Sequence, residues 1–400
     1  MSDGVPMIRI WPSLLIAFLL LPFSTQSADL PQHDPKLVQQ LKSYLRSHYM
    51  TPEDYVISKF QDHDVVFLGE HHRYKHDVEL VQSLIPRLHE KGIFTLAMEF
   101  ARSEDQPLID RLLNAPTYDE ALARQIIFNE DVVWGYQEYV DIFKAAWNLN
   151  HQLPAKSRRF RILGVNCSPD WSVLQKEEDE HNPALREKVW HGCTEENYAK
   201  VILDEVVAKG EKALVYSGMH HAFTRYRQPV EPANKDGKLT FVRFGDVRMG
   251  NYVYNAIGKR AITISLHYPW PSNEGYDAPS TYAADGYIDA VMAEIEPQFR
   301  RVGFDTHGTP FGDLPGDKSI YKYGYEKFTL STFCDGYIIQ GPLLDYQVVT
   351  PIKNFINQVN LDVAHAQMPN PKFRHATAEE LNRAIAEDAD EQKEQIATLH

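Results

Sequence analysis

Two short segments carry the side chains most able to do chemistry. One is Gly69-Glu70-His71-His72, the other Gly218-Met219-His220-His221. Each follows an apolar run, and each glycine lets the backbone turn sharply and carry the next side chains over the run's end. Glu99 and Arg102 follow a third such run, and Asn166 ends a fourth. Two imidazoles and a carboxylate make a workable divalent metal site with open positions for water; here that set is His72, His221 and Glu99. Alternatively, His72 or His221 acts as a general base oriented by Glu70 or Glu99, with Arg102 stabilising developing negative charge. Glu70 is the acid/base or a fourth ligand. Only one of each adjacent histidine pair need point inward, and His72 and His221 are the preferred members. His307 ranks third among the histidines.

These residues need a frame that brings separate segments to one edge. Residues 64–69 form a short apolar run closed by glycine, which reads as a buried strand. Val78, Val81, Leu84, Ile85 and Leu88 follow at helical spacing, so a helix packs back on it, with Pro86 as a point of bending. Residues 93–99 are the next strand, and strand–helix–strand implies parallel pairing. Residues 104–150 are mostly helical, with Tyr136, Tyr139, Ile142, Phe143, Ala146 and Trp147 on one stripe. Further strands are expected at 160–166, 213–218, 241–244, 261–267 and 336–340. Residues 270–284 and 303–325 read as Gly/Pro-rich loops. The expected fold class is α/β, a mostly parallel central sheet with helices on both faces and a helical subdomain. In such sheets ligands bind beyond the carboxyl ends of the strands, where the residues above lie.

The ends and the composition set the compartment. Residues 1–28 hold a charged start, a short apolar run and a small-residue zone, the pattern of a secretory signal peptide. The run is shorter than the about 20 apolar residues of a spanning helix, so no stable transmembrane segment is expected after cleavage. Residues 29–375 are expected to form the α/β domain, with a helical insertion at about 104–150. Residues 376–400 read as a charged, solvated helical tail. The net charge of −14 argues against nonspecific nucleic-acid binding. The expected partner is a small-molecule or peptide substrate. Of three cysteines, Cys167, Cys193 and Cys334, an oxidising compartment permits one disulfide. Cys167 and Cys193 are the nearer pair, but the sequence does not establish the bond.

Taken together, the segments 66–72, 96–100, 134–136, 162–166 and 215–221 resemble the ChaN-like/TIKI superfamily, which includes the erythromycin esterases. The resemblance covers roughly residues 64–223. Residues 302–310 are similar to a late segment of the esterase branch. The resemblance implies a parallel α/β core with a helical subdomain. In the TIKI branch, two Gly-x-x-His motifs and a Glu go with metal-dependent peptidase activity, and they fall on His72, His221 and Glu99. In the esterase branch, a Gly-Glu segment and a later His support hydrolysis by activated water. There the first His lies one residue further from the Gly, so His72 does not transfer cleanly. The ChaN branch comprises surface or periplasmic proteins implicated in haem and iron uptake, several of them lipoproteins. This chain lacks a lipid-anchoring Cys. The leading expectation is a secreted, metal-dependent or His/Glu-assisted hydrolase acting on a small-molecule ester or peptide. The alternative is a non-catalytic haem or iron uptake protein, with haem as its partner. Its axial ligands are the same histidines, His71 and His220 included, or a tyrosine such as Tyr268, with Trp270 and Tyr276 walling the macrocycle.

Overall fold

The structure, a computed structural model, describes residues 33–230, 239–275 and 278–399. The expected leader and Tyr276 lie outside the described residues. Among the described residues there are nine strands: β1 Val65–Glu70, β2 Thr95–Arg102, β3 Arg161–Asn166, β4 Ala213–Gly218, β5 Pro229–Val230, β6 Arg243–Phe244, β7 Ala261–Leu266, β8 Val302–Asp305 and β9 Gly336–Ile339. Seven of them form one sheet in the order β3-β2-β4-β1-β7-β9-β8. Every pairing in it is parallel except β8 with β9. The expected fold class, α/β with a mostly parallel sheet, is the observed one.

The strands are buried on both faces, which is why they read as unbroken apolar runs. Alternate side chains go to opposite layers. Val66 and Leu68 of β1 join one core with helices Lys75–Glu90, Glu120–Glu130 and Gln137–Gln152. Val65 and Phe67 join another with helices Glu195–Glu205 and Met249–Ile257. A third, aromatic-rich core lies around Trp270, Tyr321, Phe333 and Tyr337.

Three features depart from expectation. Residues 241–244 supply only Arg243–Phe244, which pairs with Pro229–Val230 in a separate two-stranded ribbon. The start of the expected 303–325 loop is β8, the antiparallel edge strand. Its glycine hid it. A Cβ on Gly303 would stand 2.5 Å from the Tyr55 ring, and one on Gly336 would meet the same residue, so both glycines admit that ring against the sheet edge. Finally, helix Ala378–Ala397 is not a solvated tail. Thr377 and Glu380 cap its start reciprocally. Leu381, Ile385, Ala389, Gln392 and Ile396 are buried along one stripe. Tyr136 donates its hydroxyl to the Ile385 carbonyl at 3.0 Å, and Arg73 meets Asp388 at 3.3 Å. Among the described residues no helix is long and apolar enough to cross a membrane.

Candidate functional site

Strands β2, β4 and β1 are neighbours in the sheet, so their carboxyl ends bring Glu99, the turn at Gly218 and Glu70 together from distant parts of the chain. Glu70 ends β1 and is 1% exposed. Its carboxylate accepts from three donors: His72 Nδ1 at 2.8 Å, the Tyr139 hydroxyl at 2.6 Å and the Tyr216 hydroxyl. A carboxylate only accepts, so His72 Nδ1 carries a hydrogen and Nε2 is the ring nitrogen turned away from Glu70. Phe100 and Trp134 flank that ring edge-on, with centroids at 5.8 and 5.1 Å.

Glu99 stands where β2 slips out of register with β3, between Met98 and Arg102. Such irregularities re-aim side chains beside active sites. Glu99 Oε2 accepts the Gly218 amide at 2.6 Å, and Oε1 lies 3.2 Å from His221 Nε2. On its other side His221 Nδ1 meets Glu195 Oε2 at 3.0 Å. The imidazole is therefore held between two carboxylates. Burial opposes its charge, but Glu195 and Glu99 outweigh that and raise its pKa well above the usual histidine value. Burial likewise opposes the Glu99 carboxylate, yet His221, His72 and the Gly218 amide bring it down to about 2. The pair is a carboxylate and an imidazolium at neutral pH.

Gly218 lets the two pairs meet. A Cβ there would stand 2.7 Å from His72 Cε1, 2.9 Å from His72 Nε2 and 3.4 Å from Glu99 Oε2. Glu70–His72 and Glu99–His221–Glu195 thus flank one small space at the sheet edge.

Arg102 is committed elsewhere. Its guanidinium holds Asp105 through Nε at 2.8 Å and Nη2 at 2.9 Å, and also reaches the Ser168 hydroxyl. Among the described residues no three His, Cys, Asp or Glu groups converge as a metal site. His221 already has a carboxylate at each ring nitrogen, so ligation through it would require one of them to leave.

The residues weighed for haem face another way. His71 stacks on Tyr268, centroids 5.0 Å apart, and its Nε2 faces Gln395 of the C-terminal helix at 3.4 Å. His220 Nε2 and the Tyr268 hydroxyl each lie 3.2 Å from the Tyr321 hydroxyl. Burial pushes His71 down to about 4 and His220 to about 3. A cavity of about 270 Å³ lies beside Gln395, Thr398 and Ile320, below the about 300–1,000 Å³ usual for ligand pockets. None of His71, His220 and Tyr268 lines that cavity. Trp270, expected in a covering loop, is fully buried and pairs its backbone with Thr281. His267 is a core residue between Tyr337 at 2.8 Å and Asp289 at 3.2 Å. His307 follows β8 at the opposite, amino-terminal edge of the sheet, against Asp335 at 3.3 Å. A cavity of about 590 Å³ lined by Lys91, Arg158 and Lys212 also opens at residues preceding the strands, away from His72.

Four contributors were not singled out in the sequence as site residues: Tyr139, Tyr216, Glu195 and Glu130. Glu130 ends helix Glu120–Glu130 and accepts Asn166 Nδ2 at 2.7 Å. Burial raises its carboxyl well above the usual range, and Asp131 and Glu99 raise it further. A carboxyl that keeps its proton beside an ionised one is an acid and base pair in the making. Glu195 had one sequence signal: it follows Thr194, a helix N-cap, two residues after Cys193.

Residues 56–228 match the family described as haem-binding uptake, Tiki superfamily, ChaN, as the motifs implied. No curated protein matches the chain in sequence. Among solved structures it is similar to ChaN of Campylobacter jejuni, described by its cofacial haem binding, at 15% identity over 58% of this chain and 92% of that one, TM-score 0.36. A Bacillus cereus protein is similar at 12% identity over 76% of this chain and 99% of that one, TM-score 0.45. The type III effector HopBA1 is similar at 15% identity over 59% and 90%, TM-score 0.35.

Proposed function

We propose, on the premise that residues 56–228 are a ChaN-type segment of the Tiki superfamily, that this chain is a secreted or periplasmic hydrolase of a small-molecule ester or peptide. One observation carries the reading: a Glu70–His72 pair and a Glu99–His221–Glu195 triad face the same space across Gly218. Glu70 fixes the His72 tautomer, leaving Nε2 to take a proton from water. The His221 imidazolium, held between Glu99 and Glu195, keeps Glu99 ionised beside His72. His72 then returns that proton to the leaving group. Arg102 acts from further back, by holding Asp105. This chemistry uses the chain's own side chains. Glu99 and His72 are the side chains that would hold a divalent metal, which would supply Lewis-acid polarisation of a substrate carbonyl.

The test is a screen of the purified mature chain against chromogenic esters and fluorogenic peptides, with bound metals measured and haemin titrated in parallel. Hydrolysis that His72→Ala and His221→Ala both abolish supports the proposal. Stoichiometric metal lost on Glu99→Ala supports its metal-dependent form. No hydrolysis, with a Soret shift that His72→Ala/His221→Ala removes, overturns it in favour of the haem uptake alternative, which the family description favours.

A further inference from the structure

Glu195 has no catalytic atom to reach; it touches His221 and its own anchors. Its Oε2 accepts both His221 Nδ1 at 3.0 Å and the Met249 amide at 2.8 Å. Its Oε1 accepts Arg248 Nη1 at 3.0 Å, and Arg248 in turn donates to Gln228 at 3.0 Å. A carboxylate pinned at both oxygens cannot swing away from the ring it orients. The helix it starts is itself tied down. Cys193, two residues before Glu195, is bonded to Cys167, which directly follows Asn166 at the end of β3. The Cys167 amide donates to Asn166 Oδ1 at 2.8 Å, which turns Asn166 Nδ2 toward Glu130. One covalent link therefore borders the residues that hold His221 and Glu130.

We infer that Glu195 is the positioning residue for His221, and that the Cys167–Cys193 disulfide fixes it there, so that the site is assembled only in the oxidised chain. The inference rests on the proposed role of His221, but its geometry is testable without turnover. With Glu99 facing Nε2 and Glu195 facing Nδ1, both N–H groups of the His221 ring donate to carboxylates. Arg248, Tyr198, His72 and His220 are the other charged or titratable groups in the surroundings. Among the described residues the hydrogen bond at Nδ1 is the one to Glu195.

The experiment is an imidazole-selective ¹H–¹⁵N spectrum of the full mature chain. The wild type is expected to show two slowly exchanging, downfield N–H protons for His221. Glu195→Gln should lose protection at Nδ1 alone and keep it at Nε2, whereas Glu195→Asp should restore part of it. Reduction of the wild type with a phosphine, with far-ultraviolet circular dichroism confirming the fold, should broaden the same Nδ1 signal. A Glu195→Gln spectrum like the wild type would overturn the positioning role. An unchanged signal after complete reduction would overturn the part assigned to the disulfide. On any ester or peptide the chain hydrolyses, Glu195→Gln should lower kcat by about 10- to 100-fold with KM little changed, the loss of one charge-assisted hydrogen bond. Spectra that respond as expected in a chain without turnover would leave Glu195 and the disulfide in place and sink only the hydrolase reading.

Discussion

Gly218→Ala tests the geometry of the site through a single added methyl group. The backbone there does not resist the change, since Gly218 has φ −53° and ψ 145°, a conformation open to alanine. The obstacle is His72. Carbon atoms pack at about 3.5–4.0 Å, and the new Cβ would stand 2.7 Å from His72 Cε1. The ring must therefore retreat by about 1 Å. It cannot do so freely, because Nδ1 is bonded to Glu70 at 2.8 Å, and Glu70 is itself held by two tyrosines. Overpacking of this kind costs about 1–3 kcal/mol. The half-exposed ring, with 28% of its side chain accessible, puts the expected loss at the low end. Catalysis should suffer more than stability, because a misplacement of about 1 Å costs about 100-fold in rate. Urea unfolding and kcat on the best substrate from the screen measure the two effects, and the His72 ¹⁵N resonances report the ring directly. A variant with parental kcat and unmoved His72 resonances would refute the claim that Gly218 is small so that His72 and Glu99 can meet.

Three further perturbations test the buried charges. Glu70→Gln puts an amide where three donors need a carboxylate, and should lower unfolding stability by about 2–3 kcal/mol; a loss near zero in urea would show that the network is not as drawn. Asp77 is fully buried with both oxygens unpartnered, and burial, then Glu70, raises its carboxyl well above the usual range. Its folded form holds a proton that its unfolded form releases above about 4, so its contribution is present in acid and lost as pH rises toward the folded value. Asp77→Asn should therefore gain stability relative to the wild type as pH rises from 4 to 8, and a flat difference in urea midpoints would contradict this. His71 has the opposite sign. Its folded pKa of about 4 lies below the ordinary histidine value of about 6.5, so its contribution is present above that value and is lost as pH falls toward 4. His71→Phe should lose less stability than the wild type between pH 6.5 and 4, and parallel pH curves would sink the argument.

Much of the sheet and half of the site could be read from the chain because both are local. Runs such as Val65–Leu68 announce strands by their own composition, and Glu70, His72, Glu99 and His221 follow such runs within a few residues. What could not be read depends on contacts between distant segments. Glu195 reaches His221 from a helix that a loop and a disulfide put in place, and Glu130 meets Asn166 from the end of another helix. Arg102 looked free for catalysis until Asp105, three residues on, claimed both arms of its fork. Helix Ala378–Ala397 looked solvated because its apolar stripe is narrow and includes Ala389 and Gln392. Its burial follows from the Tyr136, Arg73 and His71 side chains waiting for it.

The pairing of β1 with β7 bears on how the chain can be divided. The family match stops at residue 228, yet Val65–Gly69 lies alongside Ala261–Ser265, beyond that boundary. A fragment cut at 228 would turn the strand that ends in Glu70 into an open edge of five apolar and small residues, Val65–Gly69. Such an edge invites other chains to dock. The same cut would strip the C-terminal helix from Tyr136 and Arg73. The shortest piece that keeps Glu70 dry and His72 oriented therefore extends well past the recognisable segment, and a truncated product that aggregates would say nothing against the chemistry of the intact chain.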